Sequence, residues 1–231
     1  MRVLELFSGT RSVGKCCDQL GWESISVDMI LPADHQVDIM EFDYKQYPKD
    51  HFDIVWGSPP CCSYSKLQSS WFGRKKKEGI FTREIWEQEM KESDKLVKKT
   101  FEIIEYFNPH LWFVENPQTG ALKNREFMKD VPFYDVDYCK YSNWGYRKRT
   151  RIWTNKMDWI NFICHNDCEN MIGKLHITNL GNTERINKAR QRIKDKHRCQ
   201  VVPSALGTTG STNKLERYRV PEDLIYSLFL D

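Results

Sequence analysis

Short apolar runs alternate with helical stretches along the first 155 residues, and this alternation limits the fold more than any other feature of the sequence. The first run, Val3–Phe7, is followed by a helical stretch from about Ser12 to Leu20, with Gly21 directly after it. A glycine at that position is typical of the left-handed residue that ends a helix. Strands that alternate with helices form a mostly parallel sheet covered by helices. The sequence therefore predicts an α/β fold.

Further elements follow the same pattern. In the longest helical stretch, apolar side chains recur at the helical period while lysines and glutamates occupy the other faces, which is typical of a helix that packs on a sheet. A proline before the last apolar stretch marks a helix start. The expected segments are strands at Trp22–Val27, Phe52–Trp56, His110–Val114, Val136–Tyr141 and Arg151–Thr154, and helices at about Arg83–Phe107 and from Pro221.

Length and composition favour a soluble protein with one main domain and a small appendage. The chain has 231 residues, 40% hydrophobic and 29% charged, which is ordinary for a soluble globular protein. No apolar run approaches the length of a membrane span, and a first strand that begins at Arg2 leaves no room for a signal peptide. We expect an intracellular protein with domains at 1–157, 158–213 and 214–231, the last a helix that packs on the first domain.

The glycine turn after the first strand, and the acids that follow it, predict a cofactor site. A strand, a glycine turn and a helix N-terminus together form a ligand site, and Ser8–Thr10 makes such a turn. Asp28 follows the second strand, where an acid typically binds ribose hydroxyls. Asp38, in the run Val37–Ile39, is expected at another strand end. Because two acids repel phosphates, we expect an adenosine-containing cofactor with few phosphates. In the alternative interpretation, both acids cap turns.

The stretch Gly57–Ser65 contains the strongest candidate for chemistry. Its two prolines fix the backbone after the strand Phe52–Trp56 and present Cys61 at the carboxyl end of that strand, where open α/β sheets bind ligands. Glu115 ends another strand, so both side chains should lie at the same edge of the sheet. A thiol attacks as the thiolate, so its surroundings decide its reactivity. The alternative is a buried structural cysteine in a rigid turn.

Basic residues are clustered rather than abundant. The net charge of +3 is too small to identify a nucleic-acid-binding protein. The irregular segment Lys66–Gly79 contains Trp71 and Phe72 between basic residues, and we expect it to be a mobile loop that closes over a bound base. A surface loop with chance aromatic residues is the alternative, as a solvated face is for any charge run. The basic clusters are Arg74–Lys77, Arg147–Arg151 and Arg185–Arg198.

Beyond residue 155 the apolar periodicity fades and a group of cysteine and histidine residues appears. Cys164, Cys168 and His176 offer three zinc ligands, and His197 or Cys199 could provide a fourth. A small segment with little core would gain stability from a structural zinc ion. The other assignments are core residues at Cys16, Cys17 and Cys139, a basic helix at Glu184–Lys196 and a loop at 207–212.

Five motifs, in order, resemble those of the DNA cytosine-5 methyltransferases. Each is unspecific alone, but the ordered set covers roughly the first two thirds of the chain and is specific. The matching residues are Leu6–Gly9 with Gly14 as the first cofactor motif, Asp28 and Asp38–Ile39 as the ribose and adenine contacts, Pro59–Cys61 with Ser65 as the catalytic loop, Glu115–Asn116 as the Glu-Asn motif, and Arg149 with Arg151 as the two arginines of the Gln-x-Arg-x-Arg motif.

The resemblance implies a Rossmann-like, S-adenosylmethionine-dependent methyltransferase fold with a mostly parallel central sheet and a small C-terminal appendage. It implies that Cys61 adds to C6 of cytosine while Glu115 acts as the acid at N3, and that Arg151, supported by Arg149, holds O2. The base is inaccessible inside a duplex, so a cytosine flipped out of DNA is the expected substrate. The implied S-adenosylmethionine contacts are Phe7, Gly9, Thr10, Asp28, Met29, Asp38, Ile39 and Pro60, and the implied substrate contacts are Ser65, Asn116 and Arg147.

Three departures from the family pattern resemble the small enzymes of phages and large DNA viruses. Pro117 stands where the family has valine, and Cys62 and Arg147 stand where it usually has glutamine. Such an enzyme would act in the cytoplasm of a bacterium or of an infected host cell. The late family motifs are not clear, so 158–213 is interpreted as a reduced target-recognition region. Two alternatives stay open: a methyltransferase that acts on RNA, and a non-catalytic nucleic-acid-binding module with the same fold.

Overall fold

The computed structural model describes residues 1–76, 79–173, 175–176 and 218–230. The predicted helices at Ser12–Leu20 and Arg83–Phe107 are confirmed. The predictions for Glu184–Lys196, residues 207–212, His197 and Cys199 lie outside the described residues. In chain order the elements are β1 Arg2–Leu6, α1 Ser12–Leu20, β2 Glu23–Val27, β3 Ile54–Gly57, β4 Lys75–Lys76, β5 Gly79–Ile80, α2 Arg83–Phe107, β6 Leu111–Pro117, β7 Phe133–Asp137, β8 Arg149–Thr154, β9 Met171–Ile172, β10 Leu175–His176 and α3 Glu222–Leu230.

In the described part of the chain, six strands form one sheet in the order β2-β1-β3-β6-β8-β7. The four neighbouring strands β2, β1, β3 and β6 are parallel to one another, and β8 runs antiparallel to both β6 and β7. The predicted α/β fold with a mostly parallel sheet is confirmed. After β1 the chain adds β2 on one side and β3 on the other, so the strand order reverses beside β1. Ligands of open α/β sheets bind at this point, beyond the carboxyl ends of the strands.

The central strands are buried on both faces because helices cover both sides of the sheet. Successive side chains of a strand point to opposite faces, and Leu4 packs in the core that faces α2 while Val3 packs in the core that faces α1 and α3. The apolar face of α3, with Leu224 and Leu228 fully buried, closes this second core. Buried parallel strands need such continuous apolar runs, which is why the sequence marks them so clearly.

Gly57, the last residue of β3, allows α2 to approach the sheet closely. A Cβ atom at this position would lie 2.7 Å from Cγ2 of Thr100 on α2, which is closer than non-bonded carbon atoms pack. The absence of a side chain therefore brings α2 directly under the turn that follows β3.

Three sequence predictions need correction. The strand expected at Val136–Tyr141 is β7, Phe133–Asp137, and the chain turns through a 3₁₀ helix at Tyr138–Lys140. The run Val37–Ile39 forms no strand, because pairing stops at an isolated bridge between Val27 and His35. The segment after residue 65 is structured, with a 3₁₀ helix followed by the β4–β5 hairpin. No helix in the described part of the chain is long and apolar enough to cross a bilayer.

Candidate active site

The turn Gly57–Ser65, which we call the Cys61 turn, is tied to the end of the neighbouring strand. Asn116 on β6 is fully buried, and its Nδ2 donates a hydrogen bond to the Pro59 carbonyl over 2.9 Å. Pro59 is buried while Pro60 is exposed, so the backbone turns outward before Cys61. The Asn116 side chain contacts the turn, and its predicted contact with a substrate stays a prediction.

The other side of the Cys61 turn is held by α2. Trp86 donates from Nε1 to the Ser63 carbonyl over 2.6 Å, and the Tyr64 hydroxyl donates to Asp94 Oδ1 over 2.9 Å. Asp94 is only 7% exposed, and Arg125 neutralises it through hydrogen bonds from Nε and a guanidinium nitrogen. A buried carboxylate needs such a partner. Sequence reasoning missed Asp94, because it stands among the many charged residues of an amphipathic helix.

Glu115 lies at the same edge of the sheet as the Cys61 turn, because β3 and β6 are parallel and pair Gly57 with Val114. Its side chain is 7% exposed. Its Oε1 accepts a hydrogen bond from the Tyr138 hydroxyl over 3.0 Å and lies 3.3 Å from Nζ of Lys148. Burial raises the pKa of Tyr138, so this hydroxyl keeps its proton and donates. The carboxyl group is therefore fixed in one orientation.

The charge of Glu115 acts on the Cys61 thiol. The pKa of the Cys61 thiol is raised, first by a hydrogen bond with Cys62, then by burial and by the charge of Glu115, while Lys148 acts in the opposite direction. These effects favour the neutral thiol. The free protein thus keeps its candidate nucleophile protonated beside a carboxylate and an ammonium group. Sequence reasoning missed Lys148, although it stands within the arginine motif.

The arginines of the predicted motif point elsewhere. Arg151 pairs with Asp135 on β7 at 2.7 and 2.8 Å. In the β6–β8 ladder Arg151 lies opposite Asn116, whereas Glu115 lies opposite Ile152. Because opposed residues share a face and successive residues alternate, the side chains of Arg151 and Glu115 lie on opposite faces of the sheet. The predicted contact of Arg151 with the base stays a prediction.

The neighbouring arginines differ in exposure and in partners. Arg149 is exposed at the start of β8, on the same face as Arg151. Arg147 donates from a guanidinium nitrogen to the buried Asp137 over 2.7 Å, and this hydrogen bond raises the pKa of Arg147. The predicted contact of Arg147 with a substrate stays a prediction.

The turn after β1 has an unusual backbone. Phe7 and Gly9 have φ values of 56° and 52°, in the left-handed region that a non-glycine residue such as Phe7 rarely adopts. The Gly9 amide donates to Asp28 Oδ2 over 2.9 Å, and Asp28 Oδ1 accepts from the amides of Ile30 and Leu31. Asp28 thus supports two turns, as the alternative interpretation stated. It also lies at the predicted strand tip, so its ribose contact stays a prediction.

The Glu5 side chain, which projects from β1, binds the backbone amides at the N-terminus of α1. Its carboxyl oxygens accept hydrogen bonds from the amides of Val13 at 3.1 Å and Gly14 at 2.9 Å. Burial raises the pKa of Glu5 to about 7, against the effect of these hydrogen bonds. A helix N-terminus normally attracts phosphate. Here an acid already satisfies it, so this crevice does not suit a phosphate group.

The remaining predicted residues lie around the same edge. Asp38 accepts a hydrogen bond from the Met40 amide over 2.9 Å, so it caps a turn rather than ending a strand. Ser65 caps a 3₁₀ helix by accepting from the Leu67 amide over 3.3 Å. The hydroxyl of Thr10 lies 3.2 Å from that of Ser12. Of the two apolar cofactor candidates, Ile39 is buried and Met29 is 59% exposed.

A second group of side chains lies apart from this edge. The Sγ atoms of Cys139, Cys164 and Cys168 and a ring nitrogen of His176 all lie within 4.8 Å of one another. We call these four residues the Cys3His cluster. Cys139 is buried, as predicted for a core residue, and the turn after β7 also directs its sulfur to the other three side chains.

The strand order, and the residues at the point beside β1 where that order reverses, indicate the class of fold. A mostly parallel sheet that carries a left-handed glycine turn after β1 and an acid at the tip of β2 is a Rossmann-like α/β fold. No protein-family model matches the chain. A protein of Frog virus 3 (isolate Goorha), named a probable DNA (cytosine-5)-methyltransferase, is 39% identical over 230 residues, which are 99% of this chain and 98% of the relative. The chain therefore belongs to the DNA (cytosine-5)-methyltransferase family, and the predicted resemblance to large-DNA-virus members is confirmed.

A solved structure is also similar. It is a crystal structure described as a DNA modification methyltransferase encoded within an E. coli prophage, with 12% sequence identity and a TM-score of 0.45. The match covers 80% of this chain and 56% of that chain. A likeness of this size carries no conclusion about the site.

Proposed function

We propose that this protein transfers a methyl group from S-adenosylmethionine to C5 of cytosine in DNA. Membership of the family supports the reaction class. The single observation that carries the mechanism is that the Cys61 turn and the buried Glu115 carboxyl lie at one edge of the sheet, where the charge of Glu115 acts on the Cys61 thiol.

The reaction needs a nucleophile and an acid on the same pyrimidine. C5 of cytosine is a weak nucleophile, and it becomes a strong one when the Cys61 sulfur bonds to C6 and N3 is protonated. The Glu115 carboxylate would accept the thiol proton as the sulfur attacks and pass it to N3. S-adenosylmethionine supplies the electrophilic methyl group. Loss of the C5 proton to water then expels the Cys61 sulfur from C6 as a thiolate. The proton on N3 returns through Glu115 to that thiolate, so the thiol and the carboxylate are both regenerated and one proton is released to solvent.

The residues around this pair position them and hold their protons. Tyr138 and Lys148 bind the same oxygen of Glu115, which leaves its second oxygen for N3. Asn116 fixes the backbone ahead of Cys61. Because the pKa of the Cys61 thiol is raised in the free protein, the thiol needs a proton acceptor as it attacks, and Glu115 takes this role in the proposal.

The crevice beyond β1 and β2 suits an adenosyl group without phosphates. Glu5 satisfies the helix N-terminus, and Asp28 places a carboxylate at the tip of β2. Both acids would repel a nucleotide phosphate and tolerate a sulfonium cation. Phe7, Met29 and Ile39 supply apolar surface for the adenine. These observations support S-adenosylmethionine over a dinucleotide.

A positive surface beside the Cys61 turn supports a nucleic-acid substrate. Burial, followed by the charges of Arg151 and Lys66, lowers the pKa of Lys123, while Asp135 acts in the opposite direction, so three cations and one acid lie near one another. Phosphate contacts from such cations position a duplex without reading its sequence. The target cytosine must leave the duplex to reach Cys61.

The decisive experiment measures transfer of a radiolabelled methyl group from S-adenosylmethionine to matched DNA and RNA. We expect transfer to cytosine in DNA by the parent and by Cys62→Ala, and none by Cys61→Ala. Transfer to RNA alone would replace the substrate in this proposal. Transfer that persists in Cys61→Ala, or no transfer to either polymer by folded protein, would overturn the mechanism.

A further inference from the structure

We infer that the Cys3His cluster binds one structural Zn²⁺ ion, with Cys139 as the fourth ligand. The four ligand atoms come from two separate parts of the chain: the 3₁₀ turn after β7, and the segment that follows β8. No part of the methyl-transfer chemistry proposed above involves these residues. The inference therefore stands or fails independently of the proposed function.

The distances between the nitrogen and sulfur ligand atoms match those of a tetrahedral zinc site. Nε2 of His176 lies 3.5 Å from Sγ of Cys164 and 3.3 Å from Sγ of Cys168. With Zn–S and Zn–N bonds of usual length, a tetrahedron places sulfur and nitrogen ligands about 3.6 Å apart. The cluster thus has the size of a zinc site, with the imidazole between two sulfur atoms.

Hydrogen bonds around the ligands form a supporting frame. The amides of Asn166 and Asp167 are hydrogen-bonded to the Cys164 sulfur, a contact that stabilises a metal-bound thiolate. The Cys164 amide donates to the buried Asp137 over 2.8 Å, and that carboxylate also binds Arg147. The Arg147 guanidinium is thereby held near the cluster. Three thiolates carry more negative charge than one Zn²⁺ neutralises, and the guanidinium offsets the excess.

A second set of contacts joins the two ligand-bearing loops. Asn170 is 5% exposed, and its Nδ2 donates to the carbonyls of Cys139 at 2.9 Å and Ser142 at 2.7 Å. Lys140 pairs with Asp167 over 2.8 Å. The loops therefore approach each other through polar contacts that leave the sulfur atoms facing inward. This is the arrangement of a built site rather than of cysteines that fill a core.

The donor set selects zinc. Three thiols and one imidazole form a soft, closed, four-coordinate set, which is typical of structural Zn²⁺ sites and leaves no open position for catalysis. Oxygen ligands, which Mg²⁺ and Ca²⁺ require, do not take part. The described cysteines are free thiols, and three sulfur atoms around an imidazole cannot all be satisfied by one disulfide.

The ion would fasten a segment that has little core of its own. In the described residues from 155 to 173, Trp159 and Cys164 are the buried apolar side chains, while Met157 and Ile160 are more than 70% exposed. Hydrophobic burial therefore contributes little to the stability of this segment. A metal bound to Cys139 at one end and His176 at the other holds it against the β7–β8 hairpin, and the binding free energy becomes folding free energy.

The test is the metal content of the full-length protein, purified without chelator and measured by mass spectrometry. We expect about one zinc ion per chain in the parent and in Cys61→Ala, and loss of most of it in Cys139→Ser. The matched control is Cys199→Ser, which removes one of the two fourth ligands that the sequence offered and should keep the ion. Less than half an equivalent in the parent overturns the inference, as does loss in Cys199→Ser with retention in Cys139→Ser.

Two measurements decide the question if Cys139→Ser does not fold. His176→Cys, which provides four thiolates, should keep one zinc ion, whereas His176→Ala should lose most of it. In the parent, Co²⁺ in place of zinc should give the strong visible absorption and the sulfur-to-metal charge-transfer band of a tetrahedral thiolate site. Weak absorption of an octahedral type would contradict the assigned ligands.

Discussion

The cysteines of the Cys61 turn and those of the Cys3His cluster have opposite surroundings. Cys61 is half-buried and Cys62 exposed, and the charged groups that act on the Cys61 thiol are Glu115 and Lys148. In the Cys3His cluster the sulfur atoms face one another and an imidazole. A thiol beside a carboxylate and an ammonium group suits covalent chemistry, whereas three thiols that converge on an imidazole suit a metal ion. The neighbours that the fold supplies, and not the residue type, decide what a cysteine does.

The two regions also differ in how they are held. The Cys61 turn follows a buried parallel strand and is fixed by Asn116 on one side and Trp86 on the other. The Cys3His cluster joins loops, and polar contacts of Asn170 and Asp137 align them. The first region should therefore keep its shape without a ligand, whereas the second should depend on its ion.

The largest expected effect separates the two groups of thiols. Cys61→Ala should reduce methyl transfer by roughly 10⁴-fold or more, since removal of a nucleophile removes the covalent step, and it should leave the zinc content unchanged. Parallel measurement of turnover and metal on the same preparations checks this. If Cys61→Ala loses both, the two regions are not independent and the comparison fails.

Removal of the metal should affect stability. A strong chelator should lower the Tm of the parent by roughly 5–10 °C, as expected for a loss of about 2–3 kcal/mol in a chain of this size. The same chelator should not change the Tm of Cys139→Ser, which serves as its control. An identical Tm for the parent with and without chelator, after the ion has been shown to leave, would mean that the cluster does not stabilise the fold.

Loss of the contact between β6 and the Cys61 turn should affect activity more than stability. Asn116→Ala should lower kcat by about 10²-fold because the turn shifts, with a loss of about 1–2 kcal/mol from one buried hydrogen bond. Asn155→Ala is the matched control, since its side chain bonds the backbone at the other end of the same strand, at Trp112. Equal kcat values for the two variants would show that Asn116 only stabilises β6.

The smallest effect concerns the thiol itself. The pKa of Cys61 is raised chiefly by its hydrogen bond with Cys62, so alkylation of Cys61, which requires the thiolate, should increase with pH above the usual thiol range. Cys62→Ala should shift this profile to lower pH and speed alkylation near neutral pH by several-fold. Peptide mass spectrometry at Cys61 measures the rates. An unchanged profile would assign the shift to burial and Glu115 alone.

Sequence patterns predicted features that depend on neighbouring residues, and they missed features that depend on residues far away in the chain. The helix Arg83–Phe107 and the buried strands follow from periodicity, since each is a continuous apolar pattern. Cys139 gave no zinc signal because 25 positions separate it from Cys164, so no short ligand spacing exists. Asp94 looked like any solvated acid, because its burial depends on Arg125 and Tyr64. The orientation of Arg151 depends on strand register, which no motif encodes.

The most direct test uses DNA that contains 5-fluorocytosine, whose C5 fluorine cannot leave as a proton does and so traps the covalent adduct. After incubation with S-adenosylmethionine and proteolysis, mass spectrometry should find the nucleotide attached to the peptide that carries Cys61, and the Cys62→Ala variant should give the same adduct. Attachment to another peptide, or turnover of ordinary DNA with no adduct on the fluorinated substrate, would contradict the pairing of Cys61 and Glu115.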